Sequence, residues 1–548
     1  MCRRGSVNGR QSCETRESND SEYKYIRFVI YHEMKNEGRM VMRKAGILLP
    51  IFSLPGKYGI GCFSEMTYKF IDFLKEAGQK YWQILPLGPT GYGDSPYQTF
   101  CSFAGNPYFI SLEQLIKEKL LTKKEVEEVY GKGNASENEK VDYEFLYNTR
   151  FALLKKAYEK AEKTGKLEDK VYKKFVKENE YWINDYGLFM AIKNEMNGIC
   201  FTQWPKDLRV RNEKALAEAE KRLEYEKNFY IFIQYKFYEQ WDLVKDYANE
   251  NGIEIIGDLP IYVAPDSADV WAHPELFQLD KNAIPKRVAG CPPDGFTPLG
   301  QLWGNPLYDW DYHEKTDYDW WTRRLDKCRT LYDIVRIDHF RGFEAYYSVP
   351  GGDKDATRGK WVKGPGMKLF SRLKEKLGDI KIVAEDLGFT TDSLREFVKE
   401  SGFPNMKVLE FAFYENEDGS ESEFMPFNHY SNCVVYTGTH DNETLVGWLQ
   451  NADEKTYGKV LNYLGLGELK KSDGNLKKIA QMLIRVAQNS VADYCIIPLQ
   501  DYINLGNEAR INAPSTLGDN WVWRVNKKMI GKEIAKKIYK ITKTYGRI

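Results

Sequence analysis

Short apolar runs that end in polar or charged residues recur along the chain and set the frame of the fold. The first is 45–50 (AGILLP), followed by 81–87 (YWQILPL), 254–263 (EIIGDLPIYV) and 334–340 (IVRIDHF). Four more lie at 381–387 (KIVAEDL), 406–413 (MKVLEFAF), 433–440 (CVVYTGTH) and 493–501 (DYCIIPLQD). Several are apolar almost throughout, as parallel strands covered on their outer side by helices must be. Helical periodicity fills the intervals. Ser64 is placed to cap a helix with an apolar stripe of Phe70, Leu74 and Ala77, and Gly78 to stop it. Asp392 is placed to cap another that carries Leu394, Phe397 and Val398 and closes at Gly402. Eight strands alternating with helices predict an α/β fold of the (β/α)8 TIM-barrel type.

The strand spacing is unequal, so the barrel must carry insertions at the C-terminal face of its strands. The largest spans about residues 88–251; from Ser111 onward it is rich in Lys and Glu at helical spacing (FALLKKAYEKAEK, ALAEAEKRLEYEK) and predicts a helical subdomain. Its charge runs read as solvated helix faces. A second insertion, 264–333, is rich in Pro, Gly and Trp and predicts a loop-built lid. Residues 1–41 are polar and weakly patterned and predict a disordered tail ahead of a catalytic unit at 42–548, with Met40 and Met42 as candidate starts.

Composition narrows the partners. The 548 residues include 79 basic and 79 acidic side chains, so no net positive field exists to draw nucleic acid. No stretch approaches the roughly 18 apolar residues of a membrane span. Nine cysteines, an odd number without any C-x-x-C pair, point to free thiols in a reducing cytoplasm. The 37 tyrosines and 13 tryptophans supply aromatic faces of the kind on which sugars stack. No metal or cofactor motif is present, and none is expected. A monomer or weak homodimer is expected.

In such a barrel, chemistry stands at the C-terminal ends of the strands. Asp338 on the fourth predicted strand, Glu385 on the fifth and Asp441 just past the seventh meet that description. Arg336 and Asp338 are two residues apart and leave the same strand face, while Val335 and Ile337 turn toward the helices. An adjacent guanidinium favours the ionised carboxylate that a nucleophile needs. Glu385 follows Val383 and Ala384, an apolar setting that raises a carboxyl toward a general acid. Two carboxylates tuned apart are the minimum for cleaving a glycosidic bond. Arg336, His339 and His440 surround them in sequence. Taken singly, each has a structural alternative, such as an ion pair, a cap or a buried histidine.

Six segments, YGDSPYQ, AGNPY, GQLWGNPLYDW, RIDHFRG, AEDLG and THDNET, carry a resemblance from about Lys44 to Arg524. Through them the chain resembles the 4-alpha-glucanotransferases (amylomaltases or disproportionating enzymes, family 77 of the glycoside hydrolases). The resemblance implies Asp338 as nucleophile, Glu385 as general acid/base and Asp441 as the carboxylate that grips the 2- and 3-hydroxyls. It implies that Arg336 and His440 fix the nucleophile and the sugar. Ser95, Tyr97, Asp258, Gln301, Trp303 and Asn512 are implied to line the donor and acceptor subsites. The nucleophile and acid are expected about 5–5.5 Å apart, the retaining separation.

The residues alone leave hydrolysis and transfer balanced, since both pass through one glycosyl-enzyme and differ in what attacks it. The loop 291–305 (CPPDGFTPLGQLWGN), with Phe296 and Trp303, is a candidate lid against water. The resemblance implies transfer of an α-1,4-glucan segment to the 4-hydroxyl of glucose or another glucan. A glucan hydrolase and a non-catalytic glucan-binding barrel are the alternatives, and retention of all three carboxylates argues against the second. A phosphosugar barrel would need a phosphate cradle or a strand-end Lys. Gly56, Gly59 and Gly61 lack the fingerprint spacing and no predicted strand ends in Lys.

Overall fold

A computed structural model describes residues 43–131, 140–293, 297–388, 390–415 and 419–548. The tail 1–41 and Phe296 lie outside the described residues. Among those described, twelve strands occur. They are β1 (Lys44–Leu48), β2 (Tyr81–Gln83), β3 (Glu254–Pro260), β4 (Arg287–Cys291), β5 (Gln301–Pro306), β6 (Ile334–Asp338), β7 (Ala345–Pro350), β8 (Lys360–Lys363), β9 (Ile382–Ala384), β10 (Asn405–Val408), β11 (Cys433–Tyr436) and β12 (Tyr494–Pro498). Eight close into a parallel barrel in the order β1-β12-β11-β10-β9-β6-β3-β2. These eight are the eight apolar runs of the sequence, so the barrel expectation holds.

Alternation along each strand sorts the core into two layers. Leu48, Tyr81, Ile256, Ile334, Val383, Val434 and Ile496 form one buried cluster, the barrel interior. Their neighbours Ile47, Trp82, Ile255, Val335, Ile382, Val435 and Ile497 belong to the main cluster shared with the helices. Arg336 and Asp338 follow the interior parity of Ile334, which sends both toward the barrel axis.

The helix Glu65–Glu76 starts at Ser64, whose hydroxyl accepts from the Met66 amide, and Gly78 ends it at φ +68°. For Asp392–Ser401 the cap is Thr391, one residue before the expected Asp392. Thr391 takes the extended backbone of a cap, and its hydroxyl accepts from the Leu394 amide. Gly402 closes this helix in the left-handed region.

Between β2 and β3 the chain is largely helical. The longest helix, Glu224–Glu250, buries Trp241, Val244 and Ala248, and the Trp241 indole N–H donates to the Leu331 carbonyl at 3.0 Å. Its C-terminal half thus serves as the barrel helix that leads into β3. The stretch 264–333 is more ordered than its Pro and Gly content predicts. It holds β4, β5 and the helix Asp319–Leu331. β4 and β5 join β7 and β8 in an antiparallel sheet of order β5-β4-β7-β8. Local pattern hides this sheet because β4 takes one partner from β5 close by and the other from β7, about sixty residues downstream.

Candidate active site

The C-terminal rim of the barrel gathers the three strand-end carboxylates. Asp338 is the last residue of β6, Glu385 follows β9, and Asp441 lies in the loop 437–444 after β11. His339 adopts a left-handed backbone at φ +52°, a strained turn for a residue with a side chain. That turn aims the His339 amide at Glu385, whose Oε2 accepts it at 2.6 Å while Oε1 accepts the Leu387 amide at 2.8 Å. The carboxyl of Glu385 is therefore tied to the residue next to Asp338.

From Asp338 a buried network runs around the rim. Arg336 Nη2 donates to Asp338 Oδ1 at 3.0 Å, and Arg336 Nη1 donates to both oxygens of Asp258 at 2.7 Å. The Tyr97 hydroxyl donates to Asp258 Oδ2 at 2.7 Å and lies 2.8 Å from His440 Nε2. An ionised Asp258 has no proton to give, so Tyr97 spends its only proton there and His440 must donate from Nε2. His440 thus carries its proton on Nε2, and burial lowers its proton affinity, which keeps it neutral. The same nitrogen lies 3.4 Å from Asp441 Oδ1, which also accepts the Asn512 amide at 2.6 Å. Arg510 donates to the Asp441 and Asn512 carbonyls, both at 2.7 Å.

Electrostatics departs from the sequence expectation at one point. Burial pushes the Asp338 carboxyl above its usual range; Arg336 opposes this, while Asp258, Glu385 and Asp441 add to it. The guanidinium alone does not set the charge of Asp338. Burial likewise pushes Glu385 up to about 7, against the pull of Arg336 and the two backbone amides. The two carboxyls interact, so their protonation steps belong to the pair rather than to either residue alone.

A second wall is aromatic. Trp303 and Gln301 stand on β5, and the Trp303 indole N–H donates to Gln301 Oε1 at 3.1 Å. The His339 ring meets Trp303 edge-on at 4.8 Å, with Tyr262 within 6.3 Å of both. Burial lowers His339 to about 4, and its Nε2 is buried without a hydrogen-bond partner among the described residues.

Asp258, Tyr97, Arg336, Asp338, His440, Asp441 and Asn512 come together in one network, and Glu385 joins through the His339 backbone. The Asp258 side chain is fully enclosed at 0% exposure and serves Arg336 and Tyr97. Ser95 turns its hydroxyl to the Tyr97 amide at 3.2 Å and props that tyrosine. Arg510, Trp521 and Tyr262 escape sequence reasoning. Tyr262 shares the odd-even parity of Asp258 along the 254–263 run, a usable signal. Arg510 and Trp521, whose ring lies 5.8 Å from that of Tyr97, sit in irregular chain that offers none. No group of three His, Cys, Asp or Glu is arranged to hold a metal ion among the described residues.

A parallel barrel with three carboxylates and an aromatic wall at its C-terminal rim defines a carbohydrate-active enzyme of the (β/α)8 class. The chain matches the family model described as 4-alpha-glucanotransferase over residues 49–529. It is 48% identical to the Clostridium butyricum 4-alpha-glucanotransferase, over 91% of this chain and 99% of that one. Its identity to the Thermus thermophilus 4-alpha-glucanotransferase is 44%, over 88% and 95%. Among solved structures it superposes on the Streptococcus agalactiae amylomaltase in complex with acarbose, with a TM-score of 0.85 and 38% identity over 92% of this chain and 99% of that one. The chain belongs to the 4-alpha-glucanotransferase family.

Proposed function

We propose that this enzyme transfers a segment of an α-1,4-glucan to the 4-hydroxyl of glucose or another glucan by double displacement. Asp338, carrying the charge of the shared pair, attacks the anomeric carbon, and the bond to the leaving oxygen breaks. Glu385 gives its proton to that oxygen, and the shortened sugar departs as an alcohol. The glycosyl ester removes the charge from Asp338, so Glu385 is free to ionise against the amides of His339 and Leu387. It then takes the proton of the acceptor hydroxyl as that oxygen attacks and releases Asp338. Asp441, braced by Asn512, His440 and Arg510, grips the 2- and 3-hydroxyls of the sugar at the cleavage point.

The observation that carries this reading is the 2.6 Å bond from the His339 amide to Glu385, because it joins acid and nucleophile on one rim. The donated proton is assigned to Glu385 because Asp338 has the Arg336 guanidinium as partner and the more exposed side chain, 29%. Trp303, Gln301, His339 and Tyr262 supply the acceptor side, where an apolar wall favours sugar over water. We take the protein to act as a monomer or weak homodimer in a reducing compartment. None of the seven described cysteines is in a disulfide. Among the described residues, no helix is long and apolar enough to cross a membrane.

Incubation with maltotriose tests the reading. A ladder of longer maltooligosaccharides with free glucose is expected. Glucose and maltose without a ladder would mean hydrolysis, and an unchanged substrate would mean a binding protein.

A further inference from the structure

Two strand-end carboxylates lie outside the network above. Glu410 follows β10 and Asp501 follows β12; they are 2% and 1% exposed. Both face the underside of the loop 437–444, the segment that presents His440 and Asp441. Asp501 Oδ2 accepts the Thr437 hydroxyl at 2.5 Å, and its Oδ1 accepts the Leu445 amide at 2.8 Å. One carboxylate thereby joins the first residue of the loop to Leu445, which opens the helix that follows it. Glu410 lies beneath the first two residues of the loop. Its amide donates to the Thr437 carbonyl at 3.2 Å, and its Oε1 stands 2.8 Å from where a side chain on Gly438 would begin. That oxygen has no hydrogen-bond partner among the described residues.

We propose that Asp501 and Glu410 are positioning residues: Asp501 clamps the start of the 437–444 loop to the helix that follows it and Glu410 supports that start, which sets the height of His440 and Asp441 against the sugar. This rests on the role given to Asp441 above. Neither residue touches substrate. Within the loop, Asn442 Oδ1 accepts the Thr439 amide and hydroxyl at 2.9 and 2.8 Å, so the span is stiff and moves as a unit with its anchors. A displacement of about 1 Å at a reacting group is enough to cost about 10²-fold in rate.

The charge state follows from the surroundings. Burial pushes Glu410 well above the carboxylate range, and the nearby Asp501 and Glu443 push it further, against Asn442 and Arg510. Burial raises Asp501 only to about 6, because the Leu445 amide and Thr437 hydroxyl favour its charge. Asp501 is thus held as an acceptor on both oxygens by the Leu445 amide and the Thr437 hydroxyl, while burial favours the protonated form of Glu410.

The test compares kcat and KM for maltotriose disproportionation in Asp501→Asn, Thr437→Val, Thr437→Ser and Glu410→Gln. An amide in place of Asp501 accepts one of the two bonds and turns a donor toward the other. It is expected to lower kcat about 10²-fold with KM within about threefold. Thr437→Val is expected to fall about tenfold and Thr437→Ser, which keeps the donor, to restore the parental rate. Glu410→Gln, neutral and equal in shape, is expected to stay within about threefold. Parental kcat in Asp501→Asn with only a lowered Tm would overturn the clamp. So would equal rates in the two Thr437 variants, which decide the matter alone if Asp501→Asn does not fold. A loss in Glu410→Gln as large as that in Asp501→Asn would overturn the neutral support. A parent enzyme that makes no ladder refutes the transfer reading instead, so the two failures are separable.

Discussion

The two walls of the site are held in place by different physics. On the carboxylate wall, hydrogen bonds run from Arg336 through Asp258, Tyr97 and His440 to Asp441 and Asn512, nearly all within 3.1 Å. Every member has at least one charged or ring partner, and moving Arg336, Asp258, Tyr97 or His440 leaves a buried polar group unpaired. On the aromatic wall, Trp303 and Gln301 bond to each other on a peripheral antiparallel strand, and His339 is held by ring packing and its backbone turn. Ring contacts are less directional than charge-assisted bonds and tolerate sliding. On the proposed function, the contrast is a division of labour: fixed charge geometry for bond breaking, and an adaptable apolar surface for incoming sugars of varied length.

Variants that cut the carboxylate wall should cost rate, and those that cut the aromatic wall should cost selectivity. The largest effect is expected for Asp338→Asn, a loss of at least about 10⁴-fold in kcat with the fold retained by circular dichroism. Substantial residual turnover would remove Asp338 from the nucleophile role. Glu385→Gln is expected to lose about 10²–10⁴-fold on maltotriose, yet to recover its first step on α-maltosyl fluoride, whose leaving group needs no proton.

The same residue predicts pH behaviour. Burial holds Glu385 at about 7, so parental activity should fall as pH rises through about 7. Its folded value lies above the ordinary 4.5, so it stabilises the fold below that value and loses this contribution as pH rises to about 7. Glu385→Gln should therefore gain Tm over the parent at pH 8 and not at pH 4, which differential scanning calorimetry reads directly.

Tyr97→Phe keeps the ring on His440 and Trp521 but removes the hydroxyl between Asp258 and His440. It should cost about tenfold in kcat with a smaller change in KM. The smallest rate effect is expected for Trp303→Ala. Its kcat should stay within about threefold while KM for the acceptor rises and the ratio of glucose released to ladder formed increases. A kcat loss in Trp303→Ala that matches Tyr97→Phe would abolish the distinction between the walls.

Much of the fold was legible because its signals are local. A buried parallel strand must be apolar on both faces, so each barrel strand announced itself as a short apolar run, and Ser64, Gly78 and Gly402 marked helix ends through capping and positive φ. The antiparallel sheet was not legible. β5 carries a Gly and a Pro that weaken a strand pattern, and the pairing of its neighbour β4 with β7 is settled by contacts distant in sequence. At the site, Arg336 and Asp338 were found by parity along their strand and Asp258, Trp303 and Asn512 only through the family resemblance, whereas Arg510 and Trp521 lie on irregular chain where no period exists.

The sequence by itself determined which residue types stand at the strand ends, because the alternation that buries Ile334 also turns Arg336 and Asp338 inward. It determined that three acids are present and that one follows an apolar strand. Tertiary structure decided what each acid experiences. Asp258 became an enclosed partner of Arg336, Asp338 was raised rather than lowered, and Asp501 and Glu410 came to lie under the loop that bears Asp441. Proton affinity and hydrogen bonding depend on distances of a few ångströms between groups far apart in the chain, and only folding sets those distances.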